Sequence, residues 1–141
     1  YVRVTVQHYW ADKETGDKLS KLDPSKIQID FTNDGWTEDE SAETTERNVF
    51  YYNSILKKGQ TSTDFTDKIS ISGDIAAIVG QTSQTDDNGL TTITTTYEYD
   101  GASFVLEATV DAVQTHNAED AIKSAWGVDV NISDDGALSL E

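Results

Sequence analysis

The segment "LTTITTTYEYDGASFVLEATVDAV", residues 90–113, decides the fold class. Threonine, tyrosine and other strand-forming residues fill both halves, and Asp100-Gly101 between them suits a tight turn, because glycine readily adopts a positive φ. In the second half, alternate positions are all apolar: Phe104, Leu106, Ala108, Val110 and Ala112. The segment therefore predicts a β-hairpin whose second strand lines a core.

Strand patterns recur on both sides of this hairpin. Residues 1–10, "YVRVTVQHYW", alternate with period two, as do residues 26–31; residues 48–56 and 62–72 are also typical of strands. Asn88-Gly89 predicts a further hairpin turn, whereas residues 32–47 read as an exposed acidic loop containing Trp36. About eight strands separated by turn signals predict a sandwich or a barrel. We expect one domain over residues 1–141, a jelly-roll-like or immunoglobulin-like antiparallel β-sandwich.

One short α-helix, at about residues 117–126, interrupts the strands. Asn117 is a suitable N-cap, acidic residues occupy the first turn, and Gly127 suits the C-terminal stop. Apolar residues recur at helical spacing and are expected to face the sheets, with Trp126 largely buried: Ala118, Ala121, Ile122 and Ala125. Because these residues are mostly small, we expect the helix to plug an open end or edge of the sandwich.

The composition argues against several classes of partner. The chain carries a formal net charge of −16 and has no Cys and no Met. Such a surface repels phosphates and anionic lipids, so we expect neither nucleic-acid binding nor membrane insertion. Without cysteine there are no disulfides, thiolate metal sites or cysteine nucleophiles. Since the sequence starts at Tyr1, we expect that a segment upstream was removed or left out.

Catalytic and metal motifs are missing from the sequence. The two histidines, His8 and His116, are far apart, and neither HExxH nor GxSxG occurs. We therefore expect no enzyme activity, no catalytic residues, no zinc and no cofactor. Asp86, Asp87 and Asn88 are the best calcium candidates, but they lack the spacing of an EF-hand and suit a turn better. Calcium binding is expected to be weak or absent.

Aromatic residues offer an alternative kind of site. A stacking platform for sugars needs exposed rings on one face, although strand aromatics more often pack in a core or as cross-strand pairs. The candidates are Tyr51, Tyr52, Tyr97, Tyr99, Trp10, Trp36 and Trp126.

Four segments, in order along most of the chain, resemble the TasA/camelysin-like family. They are "YVRVTVQHYW" at 1–10, "LDPSKIQIDF" at 22–31 with the Trp that follows, "VFYYNSILKKGQTSTDF" at 49–65 and "ATVDAVQTHNAEDAIKSAWGV" at 108–128. The resemblance implies secretion by a Gram-positive bacterium through a SipW-type signal peptidase, a jelly-roll-like sandwich and a role in matrix or filaments. Some relatives are labelled metalloproteases, but the zinc motif is missing here. Lys58 also stands where the family tends to have proline before Gly59.

We therefore expect a secreted, extracellular or cell-surface structural protein of filaments, pili or biofilm matrix. It is expected to associate with itself by strand addition at the edge nearest residues 1–10, left open where a leading strand is missing. The alternative is an adhesin or a module that binds carbohydrate or a host ligand through aromatic strand faces. A hydrolase, the third possibility, requires histidines and carboxylates that converge in a cleft.

Overall fold

The computed structural model describes residues 1–87 and 91–141. These ranges are mainly β and contain one α-helix, as the sequence predicts. The elements are β1 (Val2–Asp12), β2 (Ile27–Phe31), β3 (Trp36–Glu38), β4 (Arg47–Tyr52), β5 (Thr66–Ile71), β6 (Val79–Thr85), β7 (Thr91–Tyr97), β8 (Ala102–Ala112), α1 (Ala118–Trp126), β9 (Val130–Ile132) and β10 (Leu138–Leu140). Short 3-10 helices at Pro24–Lys26 and Gly73–Ala77 precede β2 and β6.

The central unit is a four-stranded antiparallel sheet in the order β3-β4-β1-β8. β1 pairs with β4 on one side and along its whole length with β8 on the other, from Val2 opposite Ala112 to Asp12 opposite Ala102. Residues 1–10 therefore belong to an interior strand, and the expectation that they border an open edge is wrong. The edge nearest to them is the outer side of β8.

The first face of this sheet packs against the two-stranded sheet of β2 and β5, which gives the sandwich-like arrangement. Val4, Val6 and Phe50 are buried here, and the ring of Phe31 lies 4.5 Å from that of Phe50. The predicted inward face of residues 1–10 is thereby confirmed. Trp36 is also buried, with its indole N–H donating to the Thr63 carbonyl at 2.9 Å. The segment expected to be a loop over residues 32–47 thus contains an edge strand, β3.

The helix covers part of the second face of the same sheet, at β4. Ile122 is fully buried, and it belongs to a core cluster that also contains Val49 and Tyr51 of β4, Val130 of β9 and Leu138 of β10. Residues Val49 and Tyr51 alternate with Phe50, so they point away from the sandwich core. The expectation that the helix plugs an end or an edge is therefore wrong, because it lies on a sheet face.

The predicted apolar stripe of α1 is only partly buried. Ala118 and Ile122 are buried and Ala121 is half-buried, but Ala125 is exposed, which corrects the sequence prediction. Trp126 is half-buried, with its ring 5.5 Å from the Tyr51 ring and 5.2 Å from the Arg3 guanidinium. A helix of nine residues resting on one sheet face buries a narrow stripe, so Ala125 falls outside it.

Both predicted ends of the helix are confirmed, although the N-cap works differently from the expectation. Asn117 takes a left-handed conformation (φ 50°) and its side chain makes no capping hydrogen bond within the described residues. Gly127 also has a positive φ, 76°, and its N–H donates to the Lys123 carbonyl at 3.0 Å.

The predicted hairpin of residues 90–113 is wrong in its pairing, although both of its strands exist. Among the described residues β7 pairs only with β6, from Val79 opposite Tyr97 to Thr85 opposite Thr91, whereas β8 pairs with β1. Residues 98–101 form a turn where the chain changes sheets. Period-two patterning identifies a strand and its apolar face but leaves the partner open. The hairpin predicted just before it, β6 with β7, is confirmed by the pairing, and its Asn88-Gly89 turn lies outside the described residues.

Candidate assembly surface

β8 is a long edge strand. It has eleven residues, so it extends about 36 Å, and within residues 1–87 and 91–141 its outer side pairs with no other strand. Proteins usually protect such edges with a proline, a β-bulge or a charged side chain that points inward. β8 contains no proline, no charged residue lies on the face that it turns toward the sandwich core, and its register with β1 runs through eleven consecutive pairs without a bulge. Its unpaired backbone groups therefore form a template for another strand.

The apolar face of β8 is largely exposed, which corrects the expectation that it lines a core. Phe104 is 42% exposed and Val110 is 64% exposed. Ala108 and Ala112 are also exposed, and Leu106 is half-buried against the sandwich core. The face is exposed because the opposing sheet is too narrow to cover it. Strands lie about 4.8 Å apart, and the sheet of β2 and β5 has two strands whereas the central sheet has four. Ile69 and Ile71 of β5 are exposed as well.

A second uncovered feature is the ribbon, defined here as β6 together with β7. All fourteen of its residues are exposed, and Val79, Ile93 and Tyr97 share one face in the observed register. None of its residues is charged. Two strands without further packing are marginally stable in water. We therefore expect contact with another surface to stabilise the ribbon.

The base of the ribbon is attached to the body of the protein through Tyr99. Its ring lies edge-on to the buried Trp10 ring at 5.0 Å, and its phenol oxygen accepts a hydrogen bond from the Asp23 N–H at 3.1 Å. These contacts fix residues 98–101, where the ribbon ends and β8 begins.

Charges on β8 point to the face that carries the helix. Asp111 forms an ion pair with Arg3 at 2.6 Å, and Glu107 accepts a hydrogen bond from the Tyr9 hydroxyl at 3.3 Å. The opposite, apolar face of β8 has no charged residue. In a chain of net charge −16, two copies can therefore meet at this face and at the ribbon without bringing carboxylates together.

A polar groove lies on the helix-side face of the central sheet. Its volume is about 440 Å³, and its lining includes Gln7, Tyr9, Lys18, Glu46 and Glu107. Lys18 Nζ lies 2.5 Å from a Glu46 carboxylate oxygen and 5.3 Å from the centre of the Tyr9 ring. The groove combines one aromatic ring with charged and amide groups, which are the groups that contact sugars.

His8 lies in the sandwich core and is 7% exposed. Its Nδ1 has no hydrogen-bond partner among the described residues. Burial lowers the pKa of His8, and the nearby Glu46 carboxylate and Thr45 backbone partly oppose that shift. His116 is exposed just before α1, so the two histidines sit in different layers. Within the described ranges, no three His, Asp or Glu side chains are grouped to hold a metal ion.

Two of the three calcium candidates lie at the end of the ribbon. Asp86 and Asp87 follow β6 and are exposed, and Asn88 lies outside the described residues. The sequence prediction of weak or absent calcium binding stays a prediction.

The aromatic residues considered for a sugar platform are mostly part of the cores. Trp10, Trp36 and Tyr51 are buried, Tyr52, Tyr99 and Trp126 are half-buried, and Tyr97 is exposed. These seven rings therefore do not make one exposed face. The groove at Tyr9 could not be recognised from the sequence, because its lining residues come from separate segments.

No protein-family model, curated protein or solved structure matches this chain. Across residues 1–87 and 91–141, no helix is long and apolar enough to cross a membrane.

Proposed function

We propose that this protein is a secreted structural component of surface filaments, pili or biofilm matrix, and that it associates with itself by strand addition at β8. The observation that carries the proposal is the unprotected eleven-residue edge of β8 beside an exposed apolar face. A long edge strand with an exposed apolar face is unusual in a monomer, because it invites pairing with other chains.

The proposal also accounts for the distribution of charge. The acidic surface opposes close approach of two copies, and the uncharged face of β8 gives them a place to meet. Assembly should therefore strengthen as salt screens the carboxylates or as lower pH protonates them. Extracellular location follows from the resemblance to the TasA/camelysin-like family, and no catalytic role is part of the proposal.

The experiment compares two lysine variants of β8 with the unmodified chain. Val110→Lys places a charge on the apolar face, whereas Thr109→Lys adds the same charge to an exposed position on the opposite face. Sedimentation velocity and electron microscopy across NaCl concentration and pH should show assembly of the unmodified chain and of Thr109→Lys, with Val110→Lys remaining monomeric. An unmodified chain that stays monomeric under all conditions refutes the proposal.

The second candidate function is a carbohydrate-binding or adhesin module, and the groove at Tyr9 favours it. The ring of Tyr9 next to Gln7 and Glu107 offers a stacking surface with polar groups around it. Glycan-array binding that is lost in Tyr9→Ala, with the chain monomeric throughout, would favour this function over the first.

A further inference from the structure

We infer that the strand added to β8 is β7 of a second copy, so that the ribbon of one molecule completes the sheet of the next. This inference rests on the proposed function, because it names the partner of the same site. It concerns two separate surfaces on each molecule, a donor (the ribbon) and an acceptor (β8).

The chemistry of the two surfaces matches. β7 has seven residues and its outer edge is unpaired within the described residues, so it fits along the eleven residues of β8. Ile93 and Tyr97 lie on the same face of β7 and are 65% and 56% exposed. When β7 extends the sheet, this face can continue the exposed face of Phe104 and Val110. Burial of apolar side chains then adds to the backbone hydrogen bonds.

Charge restricts which part of a second copy can approach. The chain has 26 acidic and 10 basic side chains, and most of its strands carry some of them. The ribbon strands have none. They can therefore contact the uncharged face of β8 without placing a like charge on either contacting face.

The ribbon does not pair with β8 of its own molecule. The turn at residues 98–101 joins them directly, and Tyr99 fixes that turn against Trp10. In the described structure β7 pairs with β6 and not with β8. A contact between unlike surfaces of two copies is heterologous, and it leaves a free donor at one end and a free acceptor at the other. Where the rotation between neighbours does not close a ring, repetition of this contact gives an open chain of molecules, which is what a filament requires.

The test separates donor from acceptor by mixing variants. Ile93→Lys disables the donor and leaves β8 intact, whereas Val110→Lys disables β8 and leaves the donor intact. Both positions are more than half exposed, so the folds should be retained, which circular dichroism checks. Thr94→Lys, on the opposite ribbon face, is the matched control for donor charge.

Each disabled variant alone should associate at least about tenfold more weakly than the unmodified chain, because pairing would bury an unpaired charge. An equimolar mixture of the two should form one-to-one dimers that do not grow, since only one working donor and one working acceptor can meet. Thr94→Lys should assemble normally.

Two outcomes overturn the inference and leave the proposed function standing. They are filaments formed by Ile93→Lys alone, and a mixture that stays monomeric although the unmodified chain assembles. If the unmodified chain itself fails to assemble, the proposed function fails and the inference falls with it.

Discussion

Replacing Ile122 by Ala tests whether α1 holds the second core together. Ile122 is 0% exposed and packs among Tyr51, Val130 and Leu138. The change removes three buried carbon atoms, which at about 0.8 kcal/mol each amounts to about 2.4 kcal/mol of lost transfer free energy. The cavity left behind adds to this, so the loss in free energy of unfolding should lie between about 2.5 and 5 kcal/mol.

Urea denaturation followed by circular dichroism measures this loss. For a chain of 141 residues, a loss of this size should lower Tm by about 10 °C or more. Ile93→Ala deletes the same atoms at a position that is 65% exposed, and should cost less than about 1 kcal/mol. If the two variants lose similar stability, or if Ile122→Ala loses less than about 1 kcal/mol, the packing role of the helix is refuted.

Three further predictions concern pH, ions and activity. Burial lowers the pKa of His8 in the folded chain, so below about pH 6.5 the unfolded chain binds a proton on this imidazole more readily than the folded chain does. The contribution of His8 to the free energy of unfolding is therefore present above about pH 6.5 and is lost as the pH falls below it. Urea denaturation of the unmodified chain and His8→Gln should therefore converge in stability with falling pH, and parallel pH profiles would contradict this. Thermal melts should show equal stabilisation by CaCl₂ and by NaCl at matched ionic strength; a large extra gain at millimolar Ca²⁺ would reveal a specific site. Protein purified without chelator should contain no stoichiometric zinc and should not cleave casein, and chelator-sensitive cleavage by a homogeneous sample would count against the non-enzymatic proposal.

The sequence predicted elements that depend on local patterns. Alternation over residues 1–10 identified β1 and its inward face, and helical spacing around Ile122 located α1 within a residue of its observed ends. These succeed because strand and helix periods are properties of neighbouring residues.

An open edge was predicted beside residues 1–10, but its true place on the outer side of β8 could not be, because strand pairing depends on distant parts of the chain. The apolar face of β8 indicates a core, and only the two-strand width of the opposing sheet leaves Val110 exposed. β3 was missed because three residues are too few for a period, so Trp36 looked like a lone aromatic in an acidic loop. The groove at Tyr9 could not be predicted either, because it depends on the register of β1 with β8, which brings Tyr9 beside Glu107.

The pairing of β1 with β8 also determines when this protein can finish folding. Arg3 and Asp111, which pair across these strands, are 108 positions apart, whereas Arg3 pairs with Tyr51 of β4 at less than half that separation. Closing a loop twice as long costs only about 0.6 kcal/mol more, but high contact order slows folding. β1 and β4 should thus pair first, and one side of β1 then stays unpaired until β8 of the same chain reaches it. During that interval, β8 from a neighbouring chain can take the vacant place, so concentrated refolding should yield exchanged dimers that dilution before refolding prevents.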